Sequence, residues 1–260
     1  MPFTAIDGHS LFYHEEGVAS GGPPLVFIHG WTCDHSAMLP LAERFSADHH
    51  WIALDLLGHG RSDKPEAGYA IADQAKGALA LIRQWAGAHP VLIGHSMGAQ
   101  VALEVAAMAD FPPKALVLLD PAPILPHDKA RAWGKDLRRQ LARQDIPAFL
   151  AAFARRQFIE PVDPAAVDRL IEVMTATPAH VVRAAWDGVI DWDGASALAR
   201  LSSPTLVISA DKPLNRPQDI ARANPRVITA QTAGAGHMQQ FEVPDQLEAM
   251  IRRFLHLLGH

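Results

Sequence analysis

The chain predicts an α/β fold: a mostly parallel sheet flanked by helices, with a helical cap inserted after strand 6. Three observations lead there. Short continuous apolar runs alternate with helical periodicity, the pattern of strands buried on both faces. One such run, Pro90 to Ile93, breaks at Gly94-His95-Ser96-Met97-Gly98 and resumes as an Ala-rich helical pattern. From Pro123 to about Leu201 the strand-like runs stop, and helical segments broken by Pro126, Pro147, Pro161, Pro164 and Pro178 replace them. The implied division is a core of 1–122 with 202–260, and a cap of 123–201.

From the amino end, Phe3 to Ile6 and His9 to Tyr13 read as two strands joined at Asp7-Gly8, a hairpin-turn signal. Leu25-Val26-Phe27-Ile28 is a buried strand ending at His29-Gly30-Trp31. A helix is expected from Ser36, as N-cap, through Met38, Leu41, Ala42 and Phe45 at i, i+3, i+4, i+7 spacing. Trp51 to Asp55 is the next strand, opening into the Gly-rich stretch Gly58-His59-Gly60-Arg61-Ser62. A helix covers 71 to 86, the broken strand at Pro90 follows, and Ala115 to Leu119 forms a sixth strand closed by Asp120-Pro121. After the cap, strands resume at Thr205 to Ser209 and Arg226 to Thr229. The last helix begins at Pro244, lines up Leu247, Met250, Ile251, Phe254, Leu255 and Leu258, and stops at Gly259.

Composition narrows the function. A chain of 260 residues, 49% hydrophobic and 20% charged, can bury one full α/β core. A net charge of −5 argues against a nucleic-acid surface. One cysteine, Cys33, gives neither a disulfide framework nor a cysteine zinc cluster, and no histidine spacing fits a metal. The stretch at 58–60 lacks the lysine of a phosphate loop. A cofactor-free protein is therefore expected. The amino end carries no basic and apolar leader, and no run approaches the ~20 apolar residues of a membrane span, so a cytoplasmic location without membrane partners is expected.

Gly-x-Ser-x-Gly between a strand and a helix is a nucleophile elbow. Ser96 sits at the tip of a tight turn, and flanking glycines are needed because side chains there would collide with neighbouring backbone. A serine hydroxyl requires an adjacent base. His237, in the glycine-rich loop Gly234-Ala235-Gly236-His237, is the candidate, whereas His59 and His95 flank motif glycines and are expected to be buried structural residues.

These motifs, with His29-Gly30 after a strand, resemble the α/β-hydrolase superfamily over essentially the whole chain, in particular its serine esterases and lactonases. The resemblance implies an oxyanion hole from the backbone N–H groups of Trp31 and Met97. It also implies an acid to orient His237, for which two candidates stand. Asp211 lies near the usual place after the seventh strand, but about two positions early, where Pro213 occupies the expected register. Asp120 closes the sixth strand, and adjacent parallel strands end on one sheet edge, which favours it.

A secondary resemblance runs to the cofactor-independent dioxygenases that open 3-hydroxy-4-quinolone rings. It is carried by Gly30-Trp31-Thr32-Cys33-Asp34-His35, by Asp120 and by Val243-Pro244-Asp245, and it departs at Met97, where those enzymes place a second histidine. Three functions follow: a hydrolase of a carboxylic ester, thioester or lactone; such a dioxygenase; or a small-molecule receptor on the same fold. Trp31, His35, Trp133 and Trp186 are the expected substrate contacts. Across 129 to 156, eight basic residues, Arg138 and Arg139 among them, face only Asp136 and Asp145. That stretch is either a solvated face or a steering surface for a small-molecule substrate, anionic or aromatic.

Overall fold

A computed structural model describes residues 3–6, 8–18, 22–85, 89–108, 112–159 and 162–259. Its strands are β1 (Phe3–Ile6), β2 (His9–Gly17), β3 (Leu25–Ile28), β4 (His50–Leu54), β5 (Val91–His95), β6 (Ala115–Leu119), β7 (Thr205–Ser209) and β8 (Val227–Gln231). They form one sheet in the order β1-β2-β4-β3-β5-β6-β7-β8, antiparallel at β1–β2 and β2–β4 and parallel from there on. Of the expected Asp7-Gly8 turn, Asp7 lies outside the described residues, as does Pro161. The central strands β3, β5, β6 and β7 are buried at every residue, as continuous apolar runs predict for strands covered on both faces.

Alternate residues of these strands feed two cores. Leu25 and Phe27 point to one face, where Met38, Leu41, Phe45, Leu247, Ile251 and Phe254 cover them. Those residues come from the segment around α1 (Leu39–Ala42) and from α11 (Pro244–Leu257). Val26, Ile28 and Leu92 point to the other face, against α2 (Ile71–Trp85) and α3 (Met97–Ala107). Each large side chain removed from water in this way contributes about 1.5–3 kcal/mol.

The helix expected from Ser36 is shorter than its periodicity implies. Asp34, not Ser36, is the cap: its carboxylate accepts from the Ser36 N–H at 2.9 Å and starts a 3₁₀ turn over His35–Ala37. Pro40 then falls in the first turn of the four-residue α1, and a second 3₁₀ turn carries Phe45 into the core. The apolar spacing survives because both helix types bury the same side.

Between β6 and β7 the chain is helical: α4 (Asp128–Arg143), α5 (Ile146–Arg155), α6 (Pro164–Thr175), α7 (Ala179–Asp191) and α8 (Gly194–Arg200). Three of the prolines that punctuate this region, Pro147, Pro164 and Pro178, stand at helix starts. Pro147 and Pro164 occupy first-turn positions behind the capping carboxylates of Asp145 and Asp163, where a missing N–H costs nothing. α8 packs on α3 and on α9 (Pro217–Ala223), so the helices over the carboxyl edge of the sheet are α4 to α7. The short α10 (Gln239–Glu242) precedes α11. Among the described residues no helix is long and apolar enough to cross a membrane.

Within the basic stretch at 129–156, Arg138 finds its counter-charges in α7. Arg138 Nε lies 2.6 Å from Asp187 and its Nη2 2.8 Å from Asp191, while Arg139 pairs with Asp136 at 3.0 Å. The Arg138 pairs tie α4 to α7 on the exposed side, whereas the Arg139 pair lies within α4. Neither Arg138 nor Arg139 lines the cleft.

Candidate active site

Register brings the motif residues together. Ile28 pairs with Gly94, His95 with Leu119, and Leu119 with Ile208, so β3, β5, β6 and β7 end along one edge. Ser96, the residue after β5, has φ 54° and ψ −116°. Gly94 and Gly98 permit that turn by close approach: a Cβ on Gly94 would stand 2.3 Å from the Gly98 carbonyl, and one on Gly98 2.2 Å from the Ile28 carbonyl. Among the described residues three non-glycines take positive φ, Thr32, Ser96 and Asp120. All three lie at the carboxyl ends of β3, β5 and β6, where strain is held by the surrounding ladders. The Ser96 N–H donates to the Leu119 carbonyl at 3.0 Å and the Asp120 N–H to that of Ile208 at 2.8 Å.

Asp120 is 3% exposed and its two oxygens are both engaged. Oδ1 accepts from the Ala210 N–H at 3.0 Å, and Oδ2 lies 2.6 Å from Nδ1 of His237. Asp211 is placed differently. Its N–H donates to the Ala235 carbonyl at 3.0 Å, the residue is exposed, and it does not line the cavity. With Nδ1 facing a carboxylate, Nε2 is the nitrogen of His237 left to exchange a proton with the cavity.

That cavity is about 430 Å³, within the range of roughly 300–1,000 Å³ typical of small-molecule pockets. Ser96, His237, Asp120, Met97 and Trp31 all line it, and so do Trp133 and Trp186. Trp31 joins the two halves of the wall. Its Nε1–H donates to the Val182 carbonyl at 3.0 Å, and its ring meets Phe153 and Trp186 at centroid distances of 5.6 and 5.0 Å. Trp133 extends the cluster by an edge-on contact with Trp186 at 5.2 Å.

His35 does not belong to this wall. Its Nδ1 lies 2.8 Å from Asp55 Oδ1, and its ring stacks near Phe12 and His14, away from the cleft. The 3₁₀ turn after Asp34 carries it there, although only three residues separate it from Trp31. Burial works against charge at His35, but the hydrogen bond and charge of Asp55 outweigh it and raise its pKa.

Several residues that hold the site carry no motif. Glu242 accepts from the Gly236 N–H at 2.8 Å and from the Ile159 N–H at 2.7 Å, tying the His237 loop to the segment after α5 in the helical insert. Burial raises its pKa, against the two amides and the charge of His237. Asn215 donates to the Pro121 carbonyl at 2.7 Å and accepts from the Ile124 N–H at 2.7 Å, bracing the chain just after Asp120. An acidic residue in the short segment between His237 and Pro244 was the available signal for Glu242; Asn215 had none. His95 turns Nε2 to the His237 carbonyl at 2.8 Å, while its buried Nδ1 has no partner among the described residues.

Three histidines around the site stay neutral. Burial holds His59 down to about 3, and burial with the charge of His237 holds His95 well below the usual range. Burial also lowers His29, against opposing contributions led by Asp55. A base depressed in the folded state is protonated first in the unfolded chain, so stability falls as pH falls below about 6.5. For His59 that window extends down to about 3. Each such group contributes up to roughly 1.4 kcal/mol per pH unit inside its window. The raised pKa of His35 works in the opposite sense and offsets part of this. Urea melts at pH 7, 6 and 5 should therefore show a midpoint that drops stepwise at constant slope. A midpoint that holds over that range would mean the three rings are not buried neutral.

The comparisons with known proteins agree with this architecture. The 2-(acetamidomethylene)succinate hydrolase of Mesorhizobium japonicum is 39% identical over 104 residues, which span 40% of this chain and only 37% of that protein. The enol-lactonase of Burkholderia xenovorans LB400 superposes with a TM-score of 0.86 at 20% identity, covering 98% of this chain and 100% of the other. A thermophilic esterase from Thermogutta terrifontis gives 0.84 at 24% identity, covering 100% and 98%. At such identities the two structures speak to the fold. The model of the Alpha/beta hydrolase family matches residues 25–250, nearly the whole chain, and the protein belongs to that family.

Proposed function

We propose that the protein is a serine hydrolase that cleaves a small carboxylic ester, thioester or lactone through an acyl-enzyme. The observation that carries this reading is the convergence of Ser96, His237 and Asp120 on one cavity, with 2.6 Å between the carboxylate and the imidazole. Nδ1–H of His237 donates to Asp120, which fixes the tautomer and leaves Nε2 as the base. Ser96 Oγ attacks the carbonyl carbon as its proton passes to Nε2. The charge that develops on the carbonyl oxygen is met by the N–H groups of Met97 and Trp31. The imidazolium then returns the proton to the leaving oxygen or sulfur, and water, activated by the same nitrogen, releases the acid and restores the serine.

Two features support water exclusion and selection by shape. The wall is mostly aromatic and aliphatic, and the insert helices α4 to α7 overhang the serine. A fluorophosphonate probe, with a panel of 4-nitrophenyl esters and simple lactones, tests the reading. Stoichiometric labelling with turnover is the expected result. Labelling without turnover of any member would point to a receptor. Oxygen uptake with a 3-hydroxy-4-quinolone, in the absence of labelling, would point to the dioxygenase chemistry instead.

A further inference from the structure

The titratable side chains that line the cavity include Asp120, His95, His237, Arg156 and Lys212. Asp120 is fully engaged, one oxygen by the Ala210 N–H and the other by His237. Arg156 and Lys212 are exposed, and neither side chain makes a hydrogen bond or ion pair with a described residue. This sets them apart from Arg138 and Arg139, whose carboxylate partners are close at hand. The two cations reach the cavity from different parts of the fold. Arg156 closes α5 in the helical insert, and Lys212 follows β7 on the carboxyl edge of the sheet. The rest of the lining is largely apolar, with Trp31, Trp133, Phe153, Phe158, Met174 and Trp186 beside Gln140 and Gln157.

An apolar cavity with two unpaired cations and no unpaired anion is matched to a ligand of one charge type. The geometry points to a substrate that carries a carboxylate distant from the scissile bond, held by Arg156 and Lys212. This deepens the hydrolase reading of the same cavity and rests on it. A carboxylate accepts charge-assisted hydrogen bonds from a guanidinium or an ammonium, so it suits either side chain. Because the cations are exposed, they act by steering and by discrimination between charged and neutral ligands, and salt weakens both effects. The acyl chain lies against the aromatic wall, and the carbonyl is left at Ser96.

Monomethyl glutarate and dimethyl glutarate share the same methyl ester and differ in the distal charge, which makes them a matched pair. Binding is measured by calorimetry on the Ser96→Ala protein, so that the result does not depend on turnover. Monomethyl glutarate should bind about tenfold more tightly than the diester at low salt, falling to about twofold in 0.5 M salt. In Arg156→Gln/Lys212→Gln on the same background, with an unchanged thermal midpoint as the control for folding, the ratio should collapse to about one. Equal affinity for both esters, no binding of either, or a preference that survives both substitutions would overturn the assignment. The outcome is separable from that of the hydrolase reading. Failure of fluorophosphonate labelling in the wild-type protein removes the acyl-enzyme and leaves the carboxylate preference to be judged by the calorimetry alone.

Discussion

Ser96→Ala should abolish fluorophosphonate labelling and lower kcat by roughly 10⁴ to 10⁶, the loss seen when a triad nucleophile is deleted. The residual rate would come from the oxyanion donors and from binding. The substitution removes a single oxygen and keeps the Cβ, so the φ of 54° at this turn is strained to the same extent in both proteins. The hydroxyl makes no capping hydrogen bond to α3, and its loss deprives the helix of nothing. The thermal midpoint should therefore change little, in line with the ±0.5 kcal/mol typical of changes that break no packing or hydrogen bond. Full ester turnover in a folded Ser96→Ala protein would end the hydrolase reading, because no other hydroxyl sits at the elbow.

Much of this site was legible because its constraints are local. The spacing of Gly94, Ser96 and Gly98 is set by backbone contacts of 2.2 and 2.3 Å that no side chain could survive, and such constraints write themselves into a pentapeptide. The same holds for the central strands. Residues buried on both faces must be apolar without a break, and β3, β5, β6 and β7 were visible for that reason.

What was not legible depends on groups far apart in the chain. Arg138 looked like free positive charge because Asp187 and Asp191 lie 49 and 53 residues away, on a helix whose packing against α4 no local pattern announces. His35 looked like a neighbour of Trp31 by sequence distance, yet Asp55, twenty residues on, takes its ring. Helix caps fall between these cases. Asp34 and Ser36 are both good N-caps two residues apart, and the choice turns on which backbone adopts extended geometry. Glu242 illustrates the remaining class. Its two amide partners come from the loop before His237 and from the segment after α5, which only the folded chain brings within 3 Å.

Asp120→Asn is expected to lower kcat by about 10⁴ while leaving the protein folded and able to bind ligand. The exchange is isosteric, and its effect follows from the second contact of the carboxylate. The Ala210 N–H, 3.0 Å from Oδ1, requires an acceptor at that position, so the asparagine carbonyl must take it. The amide NH₂ then faces Nδ1 of His237 across 2.6 Å, and two donors cannot share that gap. The imidazole responds by moving its proton to Nε2, the tautomer that cannot receive a proton from Ser96. The defect should appear in kcat more than in KM, and fluorophosphonate labelling should slow by a similar factor. Asp211→Asn is the matched control, since that side chain is exposed and its N–H is satisfied by the Ala235 carbonyl. It should retain near-normal rates. A collapse in Asp211→Asn with full activity in Asp120→Asn would transfer the orienting role to the other carboxylate, and would require the loop carrying His237 to adopt a second arrangement during turnover.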